Sequence, residues 1–222
     1  MSIESFSSFF MSPTGAAVST VVLLILLTFF ALNLKKNQTL SVKALTYCAI
    51  CIALATVLSN VKIYKMPMGG TVTACSMLFI SIIGYWFGAF AGIVAAVAYG
   101  VMQLIFDPDI IHPVQLLLDY PVAFGILGIS GFFASSKHGL VKGYILGTLG
   151  RWLFSTISGI VFFYEYAGSQ NVFVYSSLYN ITYIAPEILI TVVLISVPAF
   201  KNAIEYIKRS LTNTETFTSA AN

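Results

Sequence analysis

Polar and ionisable side chains recur at helical spacing in three apolar stretches of this chain. Gln115 and Asp119 stand four residues apart. Arg151, Ser155 and Ser158 follow at i, i+4 and i+7. Tyr179 or Asn180, then Tyr183 and Glu187, repeat the pattern further on. Residues at these spacings share one helix face. A carboxylate, a guanidinium, an amide and several hydroxyls on such faces can grip a polar ligand, pass an ion, or pair with one another. Asp119 is the most telling of them, because Leu116, Leu117 and Leu118 precede it and Pro121 to Phe124 follow. A charge near the centre of a bilayer costs about 2.5–3.5 kcal/mol on insertion scales, so it turns toward a protein interior or a cavity. An Asp119–Arg151 pair that only holds helices together is the bland alternative. Such a pair is rarely a net stabiliser compared with apolar residues. Three ionisable groups kept beside an Asn and several Tyr favour a ligand site or an ion path.

Catalysis has little support in the sequence. The two histidines, His112 beside Pro113 and His138, show no metal-ligand spacing, and no H-E-x-x-H, G-x-S-x-G or P-loop is present. No metal or cofactor is implied, and an enzyme is not expected. Without a P-loop the chain does not hydrolyse ATP itself, so active transport needs a partner or an ion gradient. Cys48 and Cys51 form a C-x-x-C inside an apolar segment, where they and Cys75 read as small packing residues.

The elements that must position these residues are membrane helices. Of the 222 residues, 58% are hydrophobic and 9% charged, against about 25% charged in a soluble domain. The net charge of +3 gives no nucleic-acid signal. A spanning helix needs about 20 apolar residues, and the candidate spans are 16–34, 42–60, 72–87, 89–106, 114–134, 140–163 and 174–199. This predicts an all-α integral membrane protein with a six-helix core and one extra N-terminal transmembrane helix. Residues 1–41 form the accessory helix and linker, 42–200 the six-helix membrane domain, and 201–222 a cytoplasmic tail expected to be disordered. The run 16–34 lacks a basic segment before it and is read as a retained helix, not a signal peptide.

Loop charge orients the chain. Lys35, Lys36, Lys43, Lys137, Lys142, Lys201, Lys208 and Arg209 fall on one side, and Lys62 and Lys65 on the other. The core C-terminus is therefore expected in the cytoplasm of a multi-pass cell-membrane protein, and the extra N-terminus outside. Loops 61–71, 107–113 and 164–173 then face outward, with Asp119 about one and a half turns in from that side. Ala49-x-x-x-Ala53, Gly84-x-x-x-Gly88-x-x-x-Gly92 and Gly139-x-x-x-Gly143-x-x-x-Gly147 allow close helix contact, within the protein or with another membrane subunit.

Four segments carry a resemblance. They are Ser59 to Gly70 (SNVKIYKMPMGG), His112-Pro113-Val114-Gln115 through Asp119-Tyr120, Ser158 to Phe163 (SGIVFF) and Tyr175 to Asn180 (YSSLYN). In order and spacing, over about residues 42–199, they resemble the thiamine-specific S component of energy-coupling factor transporters. The resemblance implies a six-helix protein that captures a vitamin from outside. It then docks on a transmembrane coupling protein and two ATPase subunits, which use the ATP.

By that resemblance Asp119 stands where an acidic residue binds the aminopyrimidine, and Tyr120 follows it as in the family. Arg151 replaces a basic position, Phe163 falls at an aromatic stacking position, and Tyr175 and Asn180 match ligand-contacting positions. Lys62, Tyr64 and Met66 belong to the gate loop, and Ala49 and Ala53 to the docking motif. Ser155 stands where the family commonly has His. An ionised carboxylate suits an exocyclic amine, and a permanently cationic thiazolium suits an aromatic box, at about 0.5–2 kcal/mol per good cation–π contact. A related vitamin, a thiamine precursor, an ion-coupled carrier with Asp119 or Glu187 as proton site, and a non-transport scaffold are the rival readings.

Overall fold

The computed structural model describes residues 3–34 and 40–219. Lys35, Lys36 and the rest of the linker 35–39 lie outside the described residues, as do 220–222. Two helices precede the core, α1 (Ile3–Met11) and α2 (Pro13–Leu34), where the sequence predicts one. Helix α3 (Val42–Ser59) starts on Ser41, whose hydroxyl accepts from the Ala44 N–H at 3.2 Å and so satisfies one of the unpaired donors of a helix start. A short antiparallel hairpin follows, β1 (Lys62–Lys65) and β2 (Thr71–Thr73), with Lys62 opposite Thr73 and Lys65 opposite Thr71.

Helix α4 (Ser76–Phe106) is interrupted at Gly88, where φ is 87° and ψ 171°. That backbone conformation is open to glycine and strained for other residues. The break turns one 31-residue element into the two segments expected from sequence. Helix α5 (Pro113–Phe133) is continuous but irregular. Its middle, Leu118–Val122, is a π-turn containing Pro121, and its end, Ile126–Phe133, is a 3₁₀ helix. Proline has no N–H to give the preceding turn, so the ladder widens there, and Ala123 N–H reaches back to Leu118 O. Helices α6 (Gly139–Phe162) and α7 (Val172–Ser196) complete the core.

The glycine rows are internal packing faces. A Cβ on Gly128 or Gly131 would overlap the backbone of Gly92 or of Gly88 and Ala89, and one on Gly143 would meet Ser130 Cα at 2.6 Å. Outward-facing Leu45, Ile50 and Val57 on α3 and Leu189 and Val193 on α7 are exposed. Among the described residues five helices, α3 to α7, are long and apolar enough to cross a membrane. The chain is thus an all-α, multi-pass membrane protein.

The tail departs from expectation. Residues 201–219 are helical, within α8 (Pro198–Ser219), where the composition suggests a disordered tail. Proline at its start is compatible with a first helical turn, and Ile204 and Leu211 are buried. Tyr85 O–H donates to Glu205 at 2.6 Å, Trp86 N–H donates to Ile204 O at 3.3 Å, and the Lys208 ammonium lies 3.6 Å from the centre of the Tyr85 ring. These contacts fix α8 to α4 near its break. Sequence reasoning weighed the polar composition of the last residues and missed the apolar stripe before them.

Candidate binding site

A cavity of about 320 Å³ opens between α3, α4, α5, α6 and α7 beneath the β1–β2 hairpin. Pockets for small molecules begin at about this size. Asp119, Tyr120, Arg151, Ser155, Phe163, Tyr175 and Asn180 all line it, so the structure brings together every ligand position suggested by the resemblance.

The π-turn presents Asp119. Its Oδ2 accepts from Gln115 Nε2 at 2.7 Å and from Ser158 Oγ at 2.9 Å, whereas Oδ1 accepts no hydrogen bond from the described residues. The carboxylate is therefore held by one oxygen, and the other remains available. Arg151 does not pair with it. Its Nη1 donates to Met77 Sδ at 2.9 Å, its Cζ lies 4.1 Å from the centre of the Phe124 ring, and its Nε is enclosed without a partner. The ion pairs of the site lie instead at the mouth, from Lys62 and Lys65 to Asp107 at 2.6 and 3.8 Å.

Two of the lining residues spend their polar atoms on the protein itself. Tyr120 O–H donates to Asp107 O at 3.0 Å and accepts from Asp109 N–H at 2.7 Å. Asn180 Nδ2 donates to Ser176 O at 2.8 Å and Ser155 O at 3.3 Å, while its Oδ1 accepts from Tyr183 O–H at 2.6 Å. Tyr120 thus shapes the loop at the mouth, and Asn180 ties α7 to α6. Tyr175 and Tyr179 stack with ring centres 6.4 Å apart and form, with Phe163, an aromatic side to the cavity.

The hairpin covers the mouth. Tyr179 O–H donates to Pro67 O and accepts from Gly70 N–H at 3.1 Å. A Cβ on Gly70 would sit 2.7 Å from Tyr183 Cδ1, so only glycine lets the loop approach this closely. Lys62 lines the cavity, but Tyr64 is exposed and does not. Met66 packs against the cluster around Tyr183, and its sulfur accepts from Thr182 O–H at 3.1 Å.

Glu187 is not in the cavity wall. Its Oε2 accepts from Thr73 N–H and O–H at 3.1 and 2.8 Å, and its Oε1 from Ser76 O–H and Met77 N–H at 3.5 and 3.4 Å. Cys75, which precedes α4, gives that helix no side-chain cap. The Glu187 carboxylate from α7 supplies it instead, and a negative group suits the positive end of a helix. Sequence reasoning missed the α4 contribution, Tyr99 and Gln103, although their i, i+4 spacing carried a signal. Gln103 Nε2 donates to Ser59 Oγ at 2.9 Å and joins α4 to α3. Ala49 and Ala53 are exposed on α3, away from the site.

His112 caps α5. Its Nδ1 accepts from Val114 N–H at 3.2 Å, and its ring stacks on Phe162 at 5.0 Å. Burial holds this imidazole below its ordinary value of 6.5, in the neutral form that the cap requires.

Known proteins resemble this chain in sequence and in fold. ThiT of Bacillus subtilis, named a thiamine transporter, is 36% identical over 176 residues, 72% of this chain and 91% of that protein. ThiT of Lacticaseibacillus paracasei, also named a thiamine transporter, is 30% identical over 106 residues, 41% of this chain and 53% of that one. A solved structure of ThiT from Listeria monocytogenes shares the fold with a TM-score of 0.58 at 20% identity, covering 70% of this chain and 94% of that one. Residues 45–206, which hold most of α3 and every element from β1 to α7, match the family described as thiamine transporter protein (Thia_YuaJ), and the chain belongs to that family.

Proposed function

We propose that this chain is the substrate-binding S component of an energy-coupling factor transporter, and that it captures thiamine from outside the cell. The observation that carries the reading is Asp119. It is a carboxylate with one oxygen anchored and the other free, in a cavity with an aromatic side. The free oxygen accepts from the exocyclic amine of the aminopyrimidine, and Phe163, Tyr175 and Tyr179 face the thiazolium cation. Arg151 stands as the basic member of the site, with Ser155 one turn away.

The hairpin acts as the gate, with Lys62, Tyr64 and Met66 in it, and the loop-charge bias places it on the outer side. The exposed pair Ala49 and Ala53 is the docking face for the transmembrane coupling protein, which brings two ATPase subunits. The four hydrogen bonds on Glu187 support capture over ion coupling, because that carboxylate is already committed to the fold. Calorimetric titration of the purified chain with thiamine tests the reading. Submicromolar binding is expected, and no heat at high micromolar concentration overturns it. Tighter binding of an isolated pyrimidine or thiazole precursor would transfer the site to that ligand. Uptake by vesicles that lack any ATPase, abolished by an uncoupler, would replace the proposed energy source with an ion gradient.

A further inference from the structure

We propose that the N-terminal pair α1–α2, which precedes the family match at residue 45, is part of the binding machinery, with Ser7 as its positioning residue. The inference rests on the thiamine-binding reading above.

Ser7 is 1% exposed, and its hydroxyl donates to Val161 O at 2.6 Å. That carbonyl lies in the last turn of α6, where the ladder leaves carbonyls without an intrahelical partner. In an apolar environment an unpaired carbonyl is costly, so the serine gives the end of α6 a fixed partner. Phe10 of α1 and Leu23 of α2 pack on one cluster with Val114 and Leu118 of α5 and with Phe162 and Phe163 at the end of α6.

Two of those neighbours lead directly into the site. Leu118 precedes Asp119, and Phe163 lines the cavity. Ser158, one turn before Phe162, holds Asp119 Oδ2. The N-terminal pair thus packs on the start of α5 and the end of α6. Burial alone does not account for this contact, since lipid solvates an apolar face as well as protein does. A buried hydroxyl aimed at one carbonyl specifies position.

The test uses the full chain with Ser7→Ala, Ser7→Thr and, as a second lesion, Phe10→Ala. Ser7→Ala is expected to weaken thiamine binding about fivefold to tenfold, by the loss of one hydrogen bond. Ser7→Thr keeps the hydroxyl and is expected to stay within about twofold of the parent. In ligand-free protein, amide exchange across residues 158–163 is expected to quicken in Ser7→Ala and Phe10→Ala and not in Ser7→Thr. Unchanged affinity and exchange in Ser7→Ala and Phe10→Ala would overturn the inference, as would a Ser7→Thr protein as weak as Ser7→Ala. If the parent itself binds no thiamine, the functional reading falls and takes this inference with it. Parent binding with indifferent variants removes the inference alone.

Discussion

Asp119→Asn separates the recognition role of this carboxylate from its structural one. Both hydrogen bonds from the protein, Gln115 Nε2 at 2.7 Å and Ser158 Oγ at 2.9 Å, land on Oδ2. An asparagine can place its carbonyl there and keep both. The change then falls on the other atom, where an acceptor oxygen becomes an NH2 donor. An exocyclic amine that donated to the carboxylate meets another donor. A hydrogen bond to a charged group contributes about 1.5–3 kcal/mol, and a donor left unpaired in a closed site adds about 1 kcal/mol or more. The loss is therefore about 2.5–4 kcal/mol, roughly 60-fold to 700-fold in Kd at 1.4 kcal/mol per tenfold. Calorimetric titration with thiamine reads the affinity, and thermal unfolding in the same detergent reads the fold. The expected result is this loss of affinity with little change in thermal midpoint. Affinity within threefold of the parent would refute the reasoning, because no carboxylate acceptor would then be in use. A large fall in thermal midpoint would refute the claim that asparagine preserves the anchor.

Other parts of the site predict different signatures. Glu187→Gln keeps one acceptor at the start of α4 and turns the other into a donor facing donors, so it is expected to cost about 1.5–3 kcal/mol of stability; an unchanged unfolding midpoint would show that the carboxylate is not the cap described. Lys62→Gln removes the shorter ion pair at the mouth, which is partly exposed and worth about 0–1 kcal/mol. It is expected to speed ligand release severalfold and to flatten the salt dependence of that rate, whereas a release rate with the parental salt dependence would count against a role for this ion pair in holding the mouth closed. His112 is neutral and folded below its ordinary value of 6.5, so the unfolded chain takes up its proton first on acidification. Its contribution to stability is complete above about pH 6.5 and is lost as pH falls through the lower folded-state value. His112→Asn, whose oxygen caps without titrating, is expected to show a smaller fall in thermal midpoint between pH 7.5 and 5.5, and an identical fall would assign the pH dependence to another group.

The candidate site was legible because charge in an apolar helix is a loud signal. Asp119, Arg151 and the stripe on α7 stand out from any composition count, and their spacing already put them on common faces. What each one does was not legible. The sequence offers Asp119 and Arg151 as an obvious pair, yet the guanidinium sits on Phe124 and Met77 instead. Glu187 reads like a member of the cavity, and its actual role depends on Cys75 leaving α4 without a cap, a backbone detail with no sequence signature. The π-turn is half legible, since Pro121 forbids a regular ladder but does not dictate which way it relaxes. The core helices followed from apolar run length, but the division of the N-terminal segment, the β1–β2 hairpin and the tail did not; at the tail a polar end masked Ile204 and Leu211.

The connection between site and gate follows from Tyr179. One face of this residue stacks on Tyr175 within the cavity, and its hydroxyl holds Pro67 and Gly70 of the hairpin. Glu187, two turns further along α7, holds Thr73 at the other end of the same hairpin. A single helix therefore holds the hairpin at two points and supplies two of the three aromatic rings on that side of the site, Tyr175 and Tyr179. On the proposed reading of the hairpin as a gate, a ligand that packs against Tyr175 and Tyr179 favours the closed arrangement, because an open hairpin would leave the Tyr179 hydroxyl without these partners. Ligand affinity and gate closure then draw on the same contacts, and a ligand shifts the gate only by its difference in affinity for the two states. Asp119 lies outside that linkage, held by Gln115 and Ser158 on α5 and α6. On the proposed reading, a ligand that satisfies Asp119 alone gains affinity without the ring contacts on α7 that favour closure.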